Sequence, residues 1–281
     1  MRTMNISVAS GKGGTGKTTI ATNLTLTLNP KKTQLLDCDV EEPDCHLFLN
    51  QGIETIETVY SKTPVINKQK CTKCAKCVQH CQFNAIAMSK KGIKIFPELC
   101  HSCGLCKIVC PENAVKEKKR PLGKIEKGTN QMGFYHGKLK TGELLSPRII
   151  EAVKQKTKPN KTTIIDAPPG NACPTIAAIE GTDYCILVAE PTPFGLSDLK
   201  NSIKMLKQQK TPYGVVINKE GIGNNELESY CKQNNIPILM KIPNDRKIAK
   251  LYSEGIPFTD KKPEMKKQFK KLYKQIQDTI Q

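Results

Sequence analysis

Two groups of residues in this 281-residue sequence carry chemistry by their spacing alone. The first is Ser10-Gly11-Lys12-Gly13-Gly14-Thr15-Gly16-Lys17-Thr18-Thr19, a G-x-x-x-x-G-K-T pattern that follows the apolar run Ile6-Ser7-Val8-Ala9 and opens a helical pattern from Ile20 to Leu28. A backbone with few side chains wraps a polyphosphate with its N–H groups, and the helix behind it aims its positive N-terminal dipole at the same anion. Every residue from Gly11 to Thr19 is therefore a candidate nucleotide contact. The pattern assigns Lys17 to the β- and γ-phosphates and the Thr18 hydroxyl to Mg²⁺, so ATP and Mg²⁺ are the expected cofactors. The second group is cysteine. Cys71, Cys74, Cys77 and Cys81 are spaced C-x-x-C-x-x-C-x-x-x-C, and nineteen residues on, Cys100, Cys103, Cys106 and Cys110 repeat the spacing with Pro111 after them. Three thiolates within seven residues, wrapped around a turn, reach three corners of one iron–sulfur cubane, and a fourth must arrive from elsewhere. Paired zinc sites also use four cysteines, but in a looser pair-then-pair layout.

Composition agrees with metal-binding rather than cross-linking thiols. Met1-Arg2-Thr3-Met4 leads directly into the first apolar strand with no apolar leader, so a cytoplasmic location is expected, and there thiols stay reduced. No run approaches the roughly 18 apolar residues of a spanning helix. Eight of the 13 cysteines fall between positions 71 and 110. Charge is equally uneven. The chain carries a net +18, and residues 61–127 hold 15 Lys or Arg against 4 Glu and no Asp. Oxidised clusters with four thiolates are anionic, so part of that charge balances them, and the remainder favours an acidic partner.

The second lysine of the loop, Lys12 in K-G-G-x-G-K-T, makes the chain resemble the MinD/ParA/nitrogenase-iron-protein class of P-loop ATPases. The resemblance implies a homodimer closed by ATP, with Lys12 reaching the partner's nucleotide and acting with Lys17 in hydrolysis. It also implies that the D-x-D ending the second apolar run is a switch, with Asp39 positioning the attacking water and Asp37 in the Mg²⁺ shell. Asp166-Ala167-Pro168-Pro169-Gly170 is similar to the family's second switch, which gives Asp166 to Mg²⁺ through water and the Gly170 N–H to the γ-phosphate. Asn218 matches the residue that reads the adenine edge, and Pro243-Asn244-Asp245 the loop that closes over the base. The cysteine runs resemble a two-cluster bacterial ferredoxin, in which the fourth cysteine of each run serves the other cluster. That assigns Cys71, Cys74, Cys77 and Cys110 to one 4Fe–4S cluster and Cys100, Cys103, Cys106 and Cys81 to another. Gln82 stands where the first run would carry proline.

These residues need a frame. Apolar runs at Thr33–Val40, Thr162–Asp166, Asp183–Ala189, Tyr213–Asn218 and Ile236–Pro243 alternate with helical patterns, which predicts a doubly wound, mostly parallel α/β sheet with ligands at the strand C-terminal ends. An α+β ferredoxin-like domain at residues 61–118 is expected to interrupt the ATPase domain of residues 1–60 and 119–281. Ala85–Met88 and Ile93–Ile95 flank a hairpin turn at Ser89-Lys90-Lys91-Gly92, residues 54–67 alternate as a strand, and Lys118–Glu143 reads as short strands with His136 exposed. Cys173, seven residues past Asp166, reads as a small buried thiol. Met265, Phe269, Leu272, Tyr273 and Ile276 form the apolar face of a C-terminal helix expected to complete the core. The functional expectation is a dimeric switch ATPase coupled to two clusters, acting in electron transfer or metallocofactor assembly with a protein partner. A positioning ATPase on membrane or DNA, with structural clusters, is the alternative.

Overall fold

The computed structural model describes residues 3–280. Met1 and Arg2, the head of the run read as leaderless, lie outside them. The chain begins with β1 (Asn5–Ala9), α1 (Lys17–Thr27), β2 (Thr33–Asp37), α2 (Cys45–Phe48) and a long β3 (Ile53–Ile66). The cysteine-rich stretch contains α3 (Lys76–Gln79), β4 (Ile86–Ser89), β5 (Gly92–Ile95) and α4 (Leu105–Ile108), and it is followed by β6 (Val115–Gly128) and β7 (Gly133–Leu139). The remainder alternates as α5 (Ser146–Lys154), β8 (Thr162–Asp166), α6 (Cys173–Ile179), β9 (Tyr184–Ala189), α7 (Pro193–Gln209) and β10 (Tyr213–Glu220). It ends with α8 (Glu226–Gln233), β11 (Ile238–Pro243), α9 (Arg246–Ser253), α10 (Phe258–Lys261) and α11 (Pro263–Ile280).

Nine strands form one sheet in the order β11-β10-β9-β1-β8-β2-β7-β6-β3. Pairing is parallel from β11 through β7, and β6 runs antiparallel to both β7 and β3. Successive residues of the central strands enter opposite cores: Val8 and Ala9, Leu35 and Leu36, Ile164 and Ile165 each divide between the two. Covered on both faces, such strands must be apolar at nearly every position, hence the unbroken apolar runs. One core is closed by α5, α6, α7 and α8, the other by α1, α10 and α11. Met265, Phe269, Leu272, Tyr273 and Ile276 of α11 are buried there, as their period implies. No helix of the described residues is long and apolar enough to cross a membrane.

The region expected as short strands is instead a ribbon. β3 and β6, 14 residues each, pair from Ile53↔Gly128 at the sheet to Ile66↔Val115 at the far end. Beyond the sheet each strand supplies the other's backbone partners, so neither can stop early without leaving groups unpaired. The register shifts between Val59 and Tyr60, where Tyr60 faces Pro121, a residue with no N–H to donate. Residues 67–114 sit between the far ends of these strands. They include the β4–β5 hairpin, paired from Ile86↔Ile95 to Ser89↔Gly92, with the Ser89 hydroxyl donating to the Gly92 carbonyl at 2.7 Å.

Two further expectations are corrected. His136 is not exposed but 2% accessible, because β7 is an interior strand beside β2, with Asp37↔His136 in register. Its Nε2 lies 2.8 Å from Glu126 Oε2 on β6, and its ring meets His46 edge-on at 5.3 Å. Cys173 is exposed, because it is the first residue of α6 on an open loop rather than part of the buried helix face.

Candidate functional site

The loop after β1 has the geometry that phosphate binding requires. Gly16, at φ 94°, takes the left-handed conformation, and its carbonyl accepts the first helical hydrogen bond, from Ile20 N at 3.0 Å. Gly11 lies against Asp198, whose Cβ would be 2.6 Å from any side chain placed there. Gly13, Gly14, Gly16, Lys17, Thr18 and Thr19 open onto a cleft of about 1210 Å³. Across it stand Asp39, Pro169, Asn218 and Pro243, so strand ends far apart in sequence converge as the doubly wound topology demands. Thr15 is 2% exposed and its Oγ1 has no hydrogen-bond partner, but it lies behind the loop with Leu187, Glu190 and Leu199 rather than in the cleft.

The carboxylates divide by role. Asp166 Oδ2 accepts from the Thr18 hydroxyl at 2.7 Å, and its Oδ1 is buried without a partner, as is Asp44 Oδ1. Unpartnered carboxylate oxygens beside the loop threonine fit a Mg²⁺ shell. Asp37 is fully buried beneath them. Its Oδ1 accepts from Asp39 N and its Oδ2 from Cys45 N, both at 3.1 Å, so it anchors the turn and the start of α2. Asp37, Asp44 and Cys45 nevertheless hold ligand atoms within 4.8 Å of one another.

The remaining predicted residues are engaged within the chain. Lys12 Nζ lies 3.1 Å from Glu190 Oε2, and Lys219 holds the other oxygen of the same carboxylate. Burial pushes the Glu190 carboxyl up, but the hydrogen bonds from Lys219 and Lys12 outweigh it and hold it below the usual range. Gly170 N donates to the Ser10 carbonyl at 3.0 Å, and the Asn218 amide donates to the Thr15 carbonyl at 2.7 Å. Both therefore brace the phosphate loop.

The eight cysteines of the duplicated run are all free thiols, and they surround two cavities. Cys71, Cys74, Cys77 and Cys110 line one, while Cys81, Cys100, Cys103 and Cys106 line the other. Each cavity thus takes three thiols from one run and the fourth from the other run. Left-handed residues at Ala75 and Gly104 open the short helices α3 and α4 and wrap each triplet around its turn. Burial first, then neighbouring thiols, raises Cys77, and the same causes raise Cys106 to about 11. Four thiolates cannot gather in such a place without a cation among them, which is the chemistry of a cluster-binding donor set.

Comparison with known proteins decides the family. The profile of the "CobQ/CobB/MinD/ParA nucleotide binding domain" matches residues 6–258. The chain belongs to that family. An uncharacterized protein of Methanocaldococcus jannaschii is 33% identical over 281 residues, 99% of this chain and 98% of its own. An iron–sulfur cluster carrier protein of the same organism is 24% identical over 294 residues, covering 98% and 84%. Among solved structures, the septum site-determining protein MinD of Pyrococcus horikoshii, complexed with Mg-ADP, superposes with a TM-score of 0.59 at 22% identity, over 98% of this chain and 96% of that one.

In this MinD/ParA-like ATPase the cleft has a wall of which the sequence reading named only Asp245. Asp245, Ile248, Ala249 and Tyr252 line it, at spacings of three, four and seven residues along α9. That is one helical face, visible as a pattern, but only the fold shows that it meets the loop. Lys219, Glu42 and Asp44 also line the cleft, and Glu190 sits behind it, each brought there from a distant segment.

The carboxyls give the site a pH signature. Burial raises Asp39 to about 7, with Lys17 opposing, and raises Asp166 to about 6, with Lys17 and the Thr18 hydroxyl opposing. A group with a raised pKa holds its proton below that value, whereas Mg²⁺ requires the ionised form. Mg-nucleotide binding at about pH 6 is therefore expected to release protons, and affinity to rise until the pH passes about 7. Calorimetry in two buffers of different ionisation enthalpy reads the release directly.

Proposed function

We propose that this ATPase is a nucleotide-driven dimeric switch whose state is coupled to two 4Fe–4S clusters, and that it works in electron transfer or in cluster handling during metalloenzyme assembly. The observation that carries this reading is the junction of two donor sets with one switch through continuous backbone. β2, which ends in Asp37, pairs with β7, β7 with β6, and β6 runs out to the cysteines. His136 on β7 and Glu126 on β6 bond across that path. The clusters, when bound, would supply one-electron redox chemistry. The cysteines would hold them in the crossed sets described above.

On the nucleotide side, Lys17 and the loop amides bind the β- and γ-phosphates, while Thr18, Asp166 and Asp44 face the metal. Asp39 stands in the cleft with a pKa suited to orienting water near neutrality. Lys12 must leave Glu190 to reach across a dimer interface, and Gly170 must release the Ser10 carbonyl to meet a γ-phosphate. Both are moves that ATP and a second subunit would drive. Names among the relatives agree with the cluster half of the reading, since one is an iron–sulfur cluster carrier protein. The membrane form of the positioning alternative has less support, because the apolar face of α11 is spent in the core.

The test is one oxygen-free sample followed by iron analysis, paramagnetic resonance and a redox titration with and without MgATP. The expected result is about eight irons per chain, as two cubanes require, with ATP moving at least one midpoint potential and converting monomer to dimer. Iron-replete protein whose potentials and mass ignore ATP would end the proposal.

A further inference from the structure

Beside the first cysteine cavity lies a second, larger depression of about 1110 Å³ that none of the preceding chemistry uses. Its floor is apolar, made by Val65, Ile66, Ile93 and Ile95 with Pro64 and Pro97 at the ends. Its rim is Lys68, Lys73, Lys91 and Lys118, all exposed, and none of its 13 lining residues is acidic. It is continuous with the cluster cavity, because Ile66, Cys71, Lys73 and Ile93 line both. The second cysteine cavity meets this depression only at Pro64, and it has its own contact with the ATPase body through His101. Arg148 of α5 donates to the His101 carbonyl at 3.3 Å, and the Ser102 hydroxyl donates to the Lys62 carbonyl at 2.6 Å.

We propose that this groove docks an acidic protein electron carrier, which exchanges electrons with the chain through the cluster of Cys71, Cys74, Cys77 and Cys110. The inference rests on the cluster reading above and names its partner. Charge complementarity selects the occupant: four unopposed ammonium groups around an apolar floor fit a carboxylate-rimmed patch with an apolar centre, the usual anatomy of a transient protein interface. Position selects the cluster, since a partner seated there touches the wall that carries Cys71. A cluster held by Cys71, Cys74, Cys77 and Cys110 would take up the single electron lost by the carrier's reduced flavin or iron–sulfur centre, with no bond made or broken. Cys81, Cys100, Cys103 and Cys106, beside the Arg148 contact, would hold the second cluster on the body side.

The probe is flavodoxin, an acidic flavin carrier, added to the iron-replete protein. Binding of its oxidised form is followed by calorimetry, and electron delivery from its reduced form by stopped-flow absorbance. Lys68→Glu with Lys91→Glu is expected to weaken binding and slow delivery by about tenfold or more, and salt to weaken the wild type in the same direction. Iron content and ATP hydrolysis stay unchanged. Lys267→Glu with Lys270→Glu, an equal charge change on the exposed side of α11, is expected to alter neither readout. Binding that ignores the groove reversals, or falls equally with the α11 pair, overturns the docking site. So does loss of duplex DNA or anionic phosphatidylglycerol vesicles from the groove variant while flavodoxin binding persists. Wild-type protein without iron would defeat the cluster reading itself, a result that iron analysis separates from failure of docking.

Discussion

Lys17→Ala is expected to abolish nucleotide binding in the micromolar range and to lower ATP turnover by about a hundred- to a thousandfold. Two losses combine. The ammonium group that meets the β- and γ-phosphates disappears, and with it the cation that opposes the ionised carboxyls beside it. Lys17 is buried, 6% exposed, and it is the main charge holding down both Asp39 and Asp166 against their burial. Without it the cleft presents Asp39, Asp44 and Asp166 to an incoming polyphosphate, and like charges in a low-dielectric site repel strongly. Titration with fluorescent ADP measures the loss of binding, and the thermal shift given by Mg-ADP measures it independently through linkage. Lys17→Arg separates the two effects. It restores the charge but not the compact ammonium geometry, so the carboxyls recover their ordinary behaviour while turnover stays low.

The second large effect concerns the crossed cysteine sets. Cys110→Ser is expected to remove the cluster held by Cys71, Cys74 and Cys77, leaving the triplet of its own run intact, and iron should fall from about eight to about four per chain. Double variants make the assignment decisive. Cys71→Ser with Cys110→Ser should lose no more iron than either alone, because both residues line the same cavity. Cys71→Ser with Cys81→Ser should lose nearly all of it, because those two line different cavities. Ligation within each run predicts the reverse pattern, so iron analysis of four proteins distinguishes the two arrangements. Ala114 N donates to Cys110 Sγ at 3.2 Å, the kind of contact that tunes a cluster potential. The variants also show which resonance signal belongs to which cavity.

What the sequence discloses follows from how local each signal is. The phosphate loop and the cysteine runs are complete within ten or so residues, and the residue types at those spacings have few other uses, so both were legible before any fold was known. The parallel strands were legible too, because burial on both faces forces an apolar run. The clasp formed by Lys12, Glu190 and Lys219 was not. Its three members belong to distant segments, and a glutamate after a buried strand carries no mark of where its carboxylate points. His136 failed for a related reason: a histidine among glycines looks like a turn residue until β2 is known to lie beside β7. The length of β6 was hidden by Pro121 and Gly123, which read as breaks but are absorbed at a register shift and a tight crossing over Lys138 and Leu139.

That long pair of strands works mechanically as a cantilever. β6 is held by β7 from Gly123 to Lys127, by Lys140 N at the Leu122 carbonyl and by Glu143 at Arg120, so the five residues from Val115 to Lys119 reach past that support, an overhang of about 16 Å at the usual rise of a strand. The irregularity at Val59 and Tyr60 lies just inside the fulcrum. A tilt of about 10° there, with the Arg148 contact to His101 yielding, would sweep the cysteine-bearing end through about 3 Å, so a displacement too small to disturb the packing around the nucleotide becomes, at the tip, the difference between touching a neighbour and missing it.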